Sequence, residues 1–216
     1  MEHLLEVKDL CKTYNTFSLK HVNIQVPKGS IVGFIGENGA GKTTTIKAII
    51  GAIKREQGEI RLFGQSIDTN SVKIKQDIGV VMEGSFFYDN FTPKQIARVL
   101  SGVYVDWDQT IFDAYLAKFK LPATKKIKEF SKGMCMKLSL SIALSHGAKL
   151  LILDEPTSGL DPVVRNEMLE EFLGFIQDEE HVILLSSHIT TDLEKIADYI
   201  TFIHNGEIVF TEEKDE

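Results

Sequence analysis

The sequence predicts an α/β fold: a mainly parallel sheet, an antiparallel β subdomain, and a helical subdomain inserted at approximately 84–145. Three observations predict it. The run IVGFI at Ile31 to Ile35 is apolar on both faces and passes into a glycine loop and then a helical stripe. Two later runs, LLILD at Leu150 to Asp154 and VILLS at Val182 to Ser186, have the same character, as expected for strands covered on both sides in a parallel sheet. Between the first strand and these two, the apolar spacing turns helical.

Taken in order, Leu5 and Val7, then Val22, Ile24 and Val26, alternate with polar residues, the period of half-buried antiparallel strands. Pro27, Lys28 and Gly29 make a turn into IVGFI. Ile46, Ile49, Ile50 and Ile53 supply the stripe of the following helix, and Gly58 is expected to end that unit before a strand at Ile60 to Phe63. After IGVVM at Ile78 to Met82, Thr92 and Pro93 read as the N-cap and first residue of a helix through about Tyr104. Trp107, Ile111, Tyr115 and Phe119 mark a second helix. Asp161-Pro162 starts another, and Asn205-Gly206 between Tyr199 to Ile203 and Glu207 to Phe210 is a hairpin signal. The tail TEEKDE reads as frayed. With no internal repeat and no linker rich in Pro, Gly or Ser, one domain spans 1–216.

Composition narrows the function classes. Hydrophobic residues at 43% and charged ones at 25% argue against a disordered chain and against an integral membrane protein. A net charge of -7 gives no general attraction to a phosphate backbone, so no nucleic-acid partner is expected. The densest basic stretch, Lys125 to Lys128, is short and is followed by Glu129, as in a solvated loop or helix face. Cys11 and Cys135 lack the spacing of a zinc motif or a disulfide framework and read as reduced thiols. MEHLLEVKDL does not resemble a secretion signal, and the longest apolar runs are strand-sized, so a membrane role is expected to come through a partner.

The chemistry centres on Gly36 to Thr43, GENGAGKT, lying between a buried strand and a helix. This fits the GxxxxGKS/T phosphate loop. Gly36, Gly39 and Gly41 let backbone N–H groups approach phosphate oxygens at the positive end of the helix. Lys42 adds a charge for the β and γ phosphates, and the Thr43 hydroxyl is suited to magnesium. Glu37, Asn38, Ala40 and Thr44 complete the loop around ATP or GTP. LLILDEP ends a buried strand in Asp154-Glu155: Asp154 can hold magnesium through its water shell, and Glu155 can act as general base on the attacking water.

Five elements in order resemble the nucleotide-binding domains of ABC transporters: Tyr14, GENGAGKT, FSKGM at Phe130 to Met134, LLILDEPTSGLD, and Ser187-His188. The resemblance covers nearly the whole chain and implies a P-loop ATPase core using ATP and Mg2+. FSKGM stands at that family's signature, which caps ATP bound to a second subunit; Ser131 and Gly133 match it, whereas Lys132 and Met134 depart from it. Such variants look similar to those of bacterial exporters of peptides or antibiotics. Ser131 also reads as a plain helix N-cap. By the same resemblance Asp161 lies in the loop facing the second subunit, His188 reaches the γ-phosphate, and Tyr14 stacks on adenine. Glu83 stands where the family usually has a glutamine touching magnesium and the attacking water.

The implied assembly has two nucleotide-binding subunits closing on ATP and a separately encoded membrane-spanning partner, with the chain cytoplasmic and peripheral on the inner face of the membrane. Phe86, Phe87, Tyr88 and Phe91 fall where the family's domain contacts that partner, or else pack within the helical lobe. The rival expectations are a soluble ABC ATPase and a nucleotide-gated regulatory module of low turnover. The absence of a long heptad insert and of a tandem copy weighs against the first.

Overall fold

Alternating apolar residues at the amino-terminal end produce a four-stranded antiparallel sheet. In the computed structural model, which describes residues 2–82 and 87–214, β1 (His3–Thr13) pairs on one edge with β2 (Ser18–Pro27). On the other it pairs with β4 (Gln57–Leu62), which in turn meets β5 (Gln65–Ser66). Gly58 lies inside β4 rather than ending a unit before it. Its φ is 98°, and a Cβ there would come within 2.5 Å of the Asp9 carbonyl oxygen, so only glycine lets β4 approach β1 this closely.

The second sheet has the order β10-β9-β3-β8-β7-β6. Its parallel members are β3 (Ile31–Ile35), β6 (Ile78–Val81), β7 (Leu150–Asp154), β8 (Val182–Ser187) and β9 (Tyr199–His204). β10 (Glu207–Glu213) returns antiparallel through Asn205 and Gly206, both at positive φ, as the hairpin signal predicts. Leu151, Leu153, Ile183 and Leu185 face one apolar cluster. Leu150, Ile152, Val182 and Leu184 face the other, which the antiparallel sheet covers. That two-sided cover is why these strands carry no alternation, and each such side chain contributes roughly 1.5–3 kcal/mol by leaving water.

Helices fill both faces. α1 (Lys42–Ile49) buries Ile46 and Ile49 on the side of the antiparallel sheet. α2 (Ile67–Gln76), unforeseen from the sequence, buries only Ile67 and Ile74 and is N-capped by Ser66. α3 (Pro93–Leu100) has a capping box between Thr92 and Gln95. It stops at Leu100 instead of Tyr104: Ser101 forms the C-cap, and Tyr104 leaves the helix to stack on His146, with ring centroids 3.9 Å apart. α4 (Gln109–Lys118) starts from the Asp108 cap and buries Phe112 and Leu116. The stripe of Trp107, Ile111, Tyr115 and Phe119 is therefore offset from its core face: Ile111 is exposed and Phe119 alone of the four is buried.

α5 (Lys132–Ser145) is covered over most of its length, and its Ser139, Ser141 and Ser145 hydroxyls donate to carbonyls four residues back, which satisfies them in an apolar setting. α6 (Pro162–Phe175) follows the Asp161 cap, and α7 (Thr190–Ile196), also unforeseen, follows β8. Among the described residues no helix is long and apolar enough to cross a membrane. Strand register fixes what comes next: Ile35 pairs with Ser187 and Asp154 with Ser186, so the carboxyl ends of β3, β7 and β8 lie at one level.

Candidate functional site

The loop leaving β3 turns back at once into α1. Gly36 has no room for a side chain, since a Cβ would lie 2.4 Å from the Ile203 carbonyl oxygen. Gly41 is the N-cap of α1 at φ 118°, and a Cβ there would lie 2.8 Å from the Phe17 ring. Glycine is required at both, and the result is a helix N-terminus whose N–H groups suit an anion. A cleft of about 330 Å³ opens here, lined by Phe17, Glu37, Asn38, Gly39, Gly41, Lys42, Thr43, Thr44 and Glu155.

Lys42 is only 5% exposed. Its ammonium donates to the Gly36 carbonyl at 2.7 Å and the Glu37 carbonyl at 3.3 Å, and lies 3.4 Å from Glu155 Oε1. A buried charge needs such partners, because leaving one uncompensated costs roughly 3–5 kcal/mol. Thr43, the next residue, donates its hydroxyl to Asp154 Oδ2 at 2.8 Å. The other oxygen, Oδ1, accepts from Ser186 Oγ at 2.6 Å.

Glu155 follows β7 at φ 51°, a left-handed turn that costs a non-glycine residue roughly 1–2 kcal/mol. Its N–H donates to both the hydroxyl and the carbonyl oxygens of Ser186, at 3.1 Å each. Its Oε2 accepts from His188 Nδ1 at 2.6 Å and from the His188 backbone N–H at 3.3 Å. Oε1 is buried and makes no hydrogen bond; the Lys42 contact is ionic. An anionic oxygen without a hydrogen bond, beside a phosphate loop, can accept a proton. Asp154 and Thr43 together offer the hard oxygen donors that magnesium takes.

Comparison with known proteins agrees with this geometry. A family model described as "ABC transporter" matches residues 19–158. A second, described as an AAA domain, putative AbiEii toxin of a type IV toxin–antitoxin system, matches residues 126–191, the stretch carrying β7 and β8. The bacitracin transport ATP-binding protein BcrA of Bacillus licheniformis is 37% identical over 97% of this chain and 69% of its own. The lantibiotic transport ATP-binding protein SrtF of Streptococcus pyogenes is 35% identical over 98% of this chain and 92% of its own. A solved structure described as the ATP binding subunit of an ABC transporter superposes with a TM-score of 0.89 at 30% identity, covering 98% of this chain and 90% of that one. The chain belongs to the ABC transporter family. It is that family's ATP-binding domain, an ATPase.

The other residues singled out in this ABC ATPase lie apart from the phosphate cleft. Ser131 is the N-cap of α5 and accepts from the Met134 N–H at 3.2 Å; Asp161 is the N-cap of α6 and accepts from Val163 and Val164, both at 3.1 Å. Both line a second cleft of about 330 Å³, with Lys132, Gly133 and Gly159 beside them. The two clefts share no residue, so within one chain Ser131, Gly133 and Asp161 do not join Lys42 and Glu155. Tyr14 is 44% exposed, with Lys12 Nζ 5.4 Å from its ring centroid, and is not among the residues lining the phosphate cleft. Glu83 and Phe86 lie outside the described residues.

Two side chains of the site escaped the sequence reading. Ser186 holds both Asp154 and Glu155, and its signal was a polar residue inside the apolar run VILLSS. Phe17 reaches the phosphate loop from the β1–β2 turn; a lone aromatic between Thr16 and Ser18 carries no periodic signal.

Proposed function

We propose that this ABC ATPase is the motor of a transporter exporting peptides or antibiotics, working as a dimer on a separately encoded membrane-spanning partner at the cytoplasmic face. The observation that carries the hydrolytic part is the meeting of Lys42, Glu155 and His188 at the carboxyl ends of β3, β7 and β8. The relatives BcrA and SrtF, described as bacitracin and lantibiotic transport ATP-binding proteins, support the substrate class.

In this reading Gly36, Glu37, Asn38, Gly39, Ala40, Gly41 and Thr44 wrap the phosphates, and Lys42 turns its ammonium to the β and γ oxygens. Water attacks the γ-phosphorus, Glu155 Oε1 takes the water proton, and the bond to the β-phosphate oxygen breaks to leave ADP and phosphate. Thr43 and Asp154 would hold Mg2+, which neutralises phosphate charge when bound; their hydroxyl–carboxylate pair is the donor set such an ion takes. Glu83 is assigned to the same metal by resemblance. His188 orients Glu155 and contacts the γ-phosphate, and Tyr14 stacks on adenine. Ser131, Gly133 and Asp161, forming their own cleft, are assigned to ATP held by the second subunit.

The test is to seek a membrane-spanning protein that copurifies with this chain and to reconstitute the two together. Peptide-stimulated ATP turnover with outward movement of a bacitracin-like or lantibiotic-like peptide is expected. ATP turnover with inward movement, or with no transport of either peptide, would overturn the exporter assignment.

A further inference from the structure

Away from the phosphate cleft, the antiparallel sheet brings three side chains with metal-binding atoms together on its outer face. Between Val7↔Ile24 and Leu10↔Val22 the register shifts, and it shifts again before Lys12↔Leu19. Each bulge contains a residue in the left-handed region, Asp9 at φ 54° and His21 at φ 50°. Bulges re-aim side chains, and these two bring the Asp9 carboxylate and the His21 ring to Cys11. His21 Nδ1 lies 2.5 Å from Asp9 Oδ1 and 3.8 Å from Cys11 Sγ, and one ligand atom from each residue lies within 4.8 Å of the others.

We propose that Asp9, Cys11 and His21 form a binding site for a divalent ion of the zinc class, with solvent as the fourth ligand. The donor set, one thiolate, one imidazole and one carboxylate, suits that borderline-soft ion and not magnesium or calcium. With bonds of about 2.0–2.3 Å and tetrahedral angles, ligand atoms should sit roughly 3.3–3.7 Å apart. The sulfur–nitrogen pair, at 3.8 Å, is just above that range, and the nitrogen–oxygen pair, at 2.5 Å, opens by rotation of the His21 and Asp9 side chains, which are 70% and 48% exposed. His21 is exposed, which leaves the fourth position to water.

Supporting contacts are present around the three. Gln57 of β4 donates to Asp9 Oδ2, which leaves Oδ1 for the ion, and Asn23 Oδ1 accepts from the Asp9 N–H at 3.0 Å. The His21 N–H donates to Cys11 Sγ at 3.4 Å, which holds the sulfur on the side of the ring. Outer contacts of this kind orient metal ligands, and losing one typically weakens binding about 10- to 100-fold.

The experiment titrates the untagged full chain with Co2+, and then Zn2+, without nucleotide. One Co2+ per chain with a thiolate-to-cobalt charge-transfer band, displaced by Zn2+, is expected. Cys11→Ser should abolish the band, His21→Gln should weaken binding at least about tenfold, Gln57→Ala should weaken it about 10- to 100-fold, and Cys135→Ser should leave it unchanged. His21→Gln carries the test if Cys11→Ser fails to fold, because His21 is exposed on the sheet surface. Absence of the band in the unaltered chain, its loss in Cys135→Ser, or equal affinity in His21→Gln would overturn the site.

Discussion

Glu155 Oε2 and His188 Nδ1 lie 2.6 Å apart, while the other carboxylate oxygen of Glu155 faces Lys42 at 3.4 Å. A carboxylate only accepts, so Nδ1 carries the proton of this bond. In the proposed mechanism His188 thereby fixes which oxygen of Glu155 remains for proton transfer. Replacing His188 by Ala should reduce turnover about 10- to 100-fold, below the range of about 10² to 10⁴ for losing a general base itself. ATP affinity should change much less. Steady-state hydrolysis with nucleotide titration checks this, and unaltered turnover would remove His188 from the proton path.

The aromatic stretch before α3 divides in the structure. Phe87 and Phe91 pack against the core, whereas Tyr88 is 77% exposed. If this stretch docks the proposed membrane partner, Tyr88 is the exposed ring left to anchor it, and Tyr88→Ala should weaken copurification with that partner by about 2 kcal/mol or more, the range of an interface anchor. Thermal stability should hold, since little area is buried there. A variant that binds the partner normally would assign the docking surface elsewhere.

The parallel strands, the phosphate loop, the acids after β7 and the Asn205-Gly206 hairpin were legible because each follows from a local rule: two-sided burial, glycine geometry or turn chemistry. α2 was not, because IDTNSVKIKQ places only Ile67 and Ile74 in the core and offers no stripe. α3 was overextended because Tyr104 looks like one more apolar helix position, and only its stacking on His146 explains why it is not. In the site, Lys42, Thr43, Asp154, Glu155 and His188 were readable and do meet. Ser186 and Phe17 were not, since their roles depend on strand register and on a turn that folds over Gly41. Ser131 and Asp161 were readable as caps, and they serve as caps.

Glu83 replaces the neutral amide expected by resemblance. Two unit charges at about 4 Å interact by roughly 4 kcal/mol at an effective dielectric of 20, so a carboxylate near a triphosphate should make binding depend on the cation between them. ATP affinity should rise more steeply with Mg2+ concentration in the unaltered chain than in Glu83→Gln, with turnover kept or raised in the variant. Coincident Mg2+ curves for the two forms would mean that Glu83 has no part in the site.

His146 stacks on Tyr104 and hydrogen-bonds the Gln76 carbonyl through Nδ1 at 3.1 Å. Burial pushes its pKa below the usual 6.5, against a smaller opposing effect of the Gln76 carbonyl. Between the folded and unfolded pKa values the unfolded chain binds more protons, so stability is fully present above about pH 6.5 and is lost as pH falls. His146→Gln should flatten this acid limb. Chemical denaturation of both forms between about pH 5 and 7 measures it, and parallel profiles would show that His146 does not titrate with unfolding.

The most direct test of the account replaces the base. Glu155→Gln keeps the shape of the side chain and its neighbours while removing the proton acceptor beside Lys42. Single-turnover hydrolysis of Mg-ATP, run beside an ATP-binding titration, should show the chemical step slowed by about 10² to 10⁴ with ATP affinity retained. Hydrolysis at the unaltered rate in Glu155→Gln would contradict the assignment of this carboxylate as the general base.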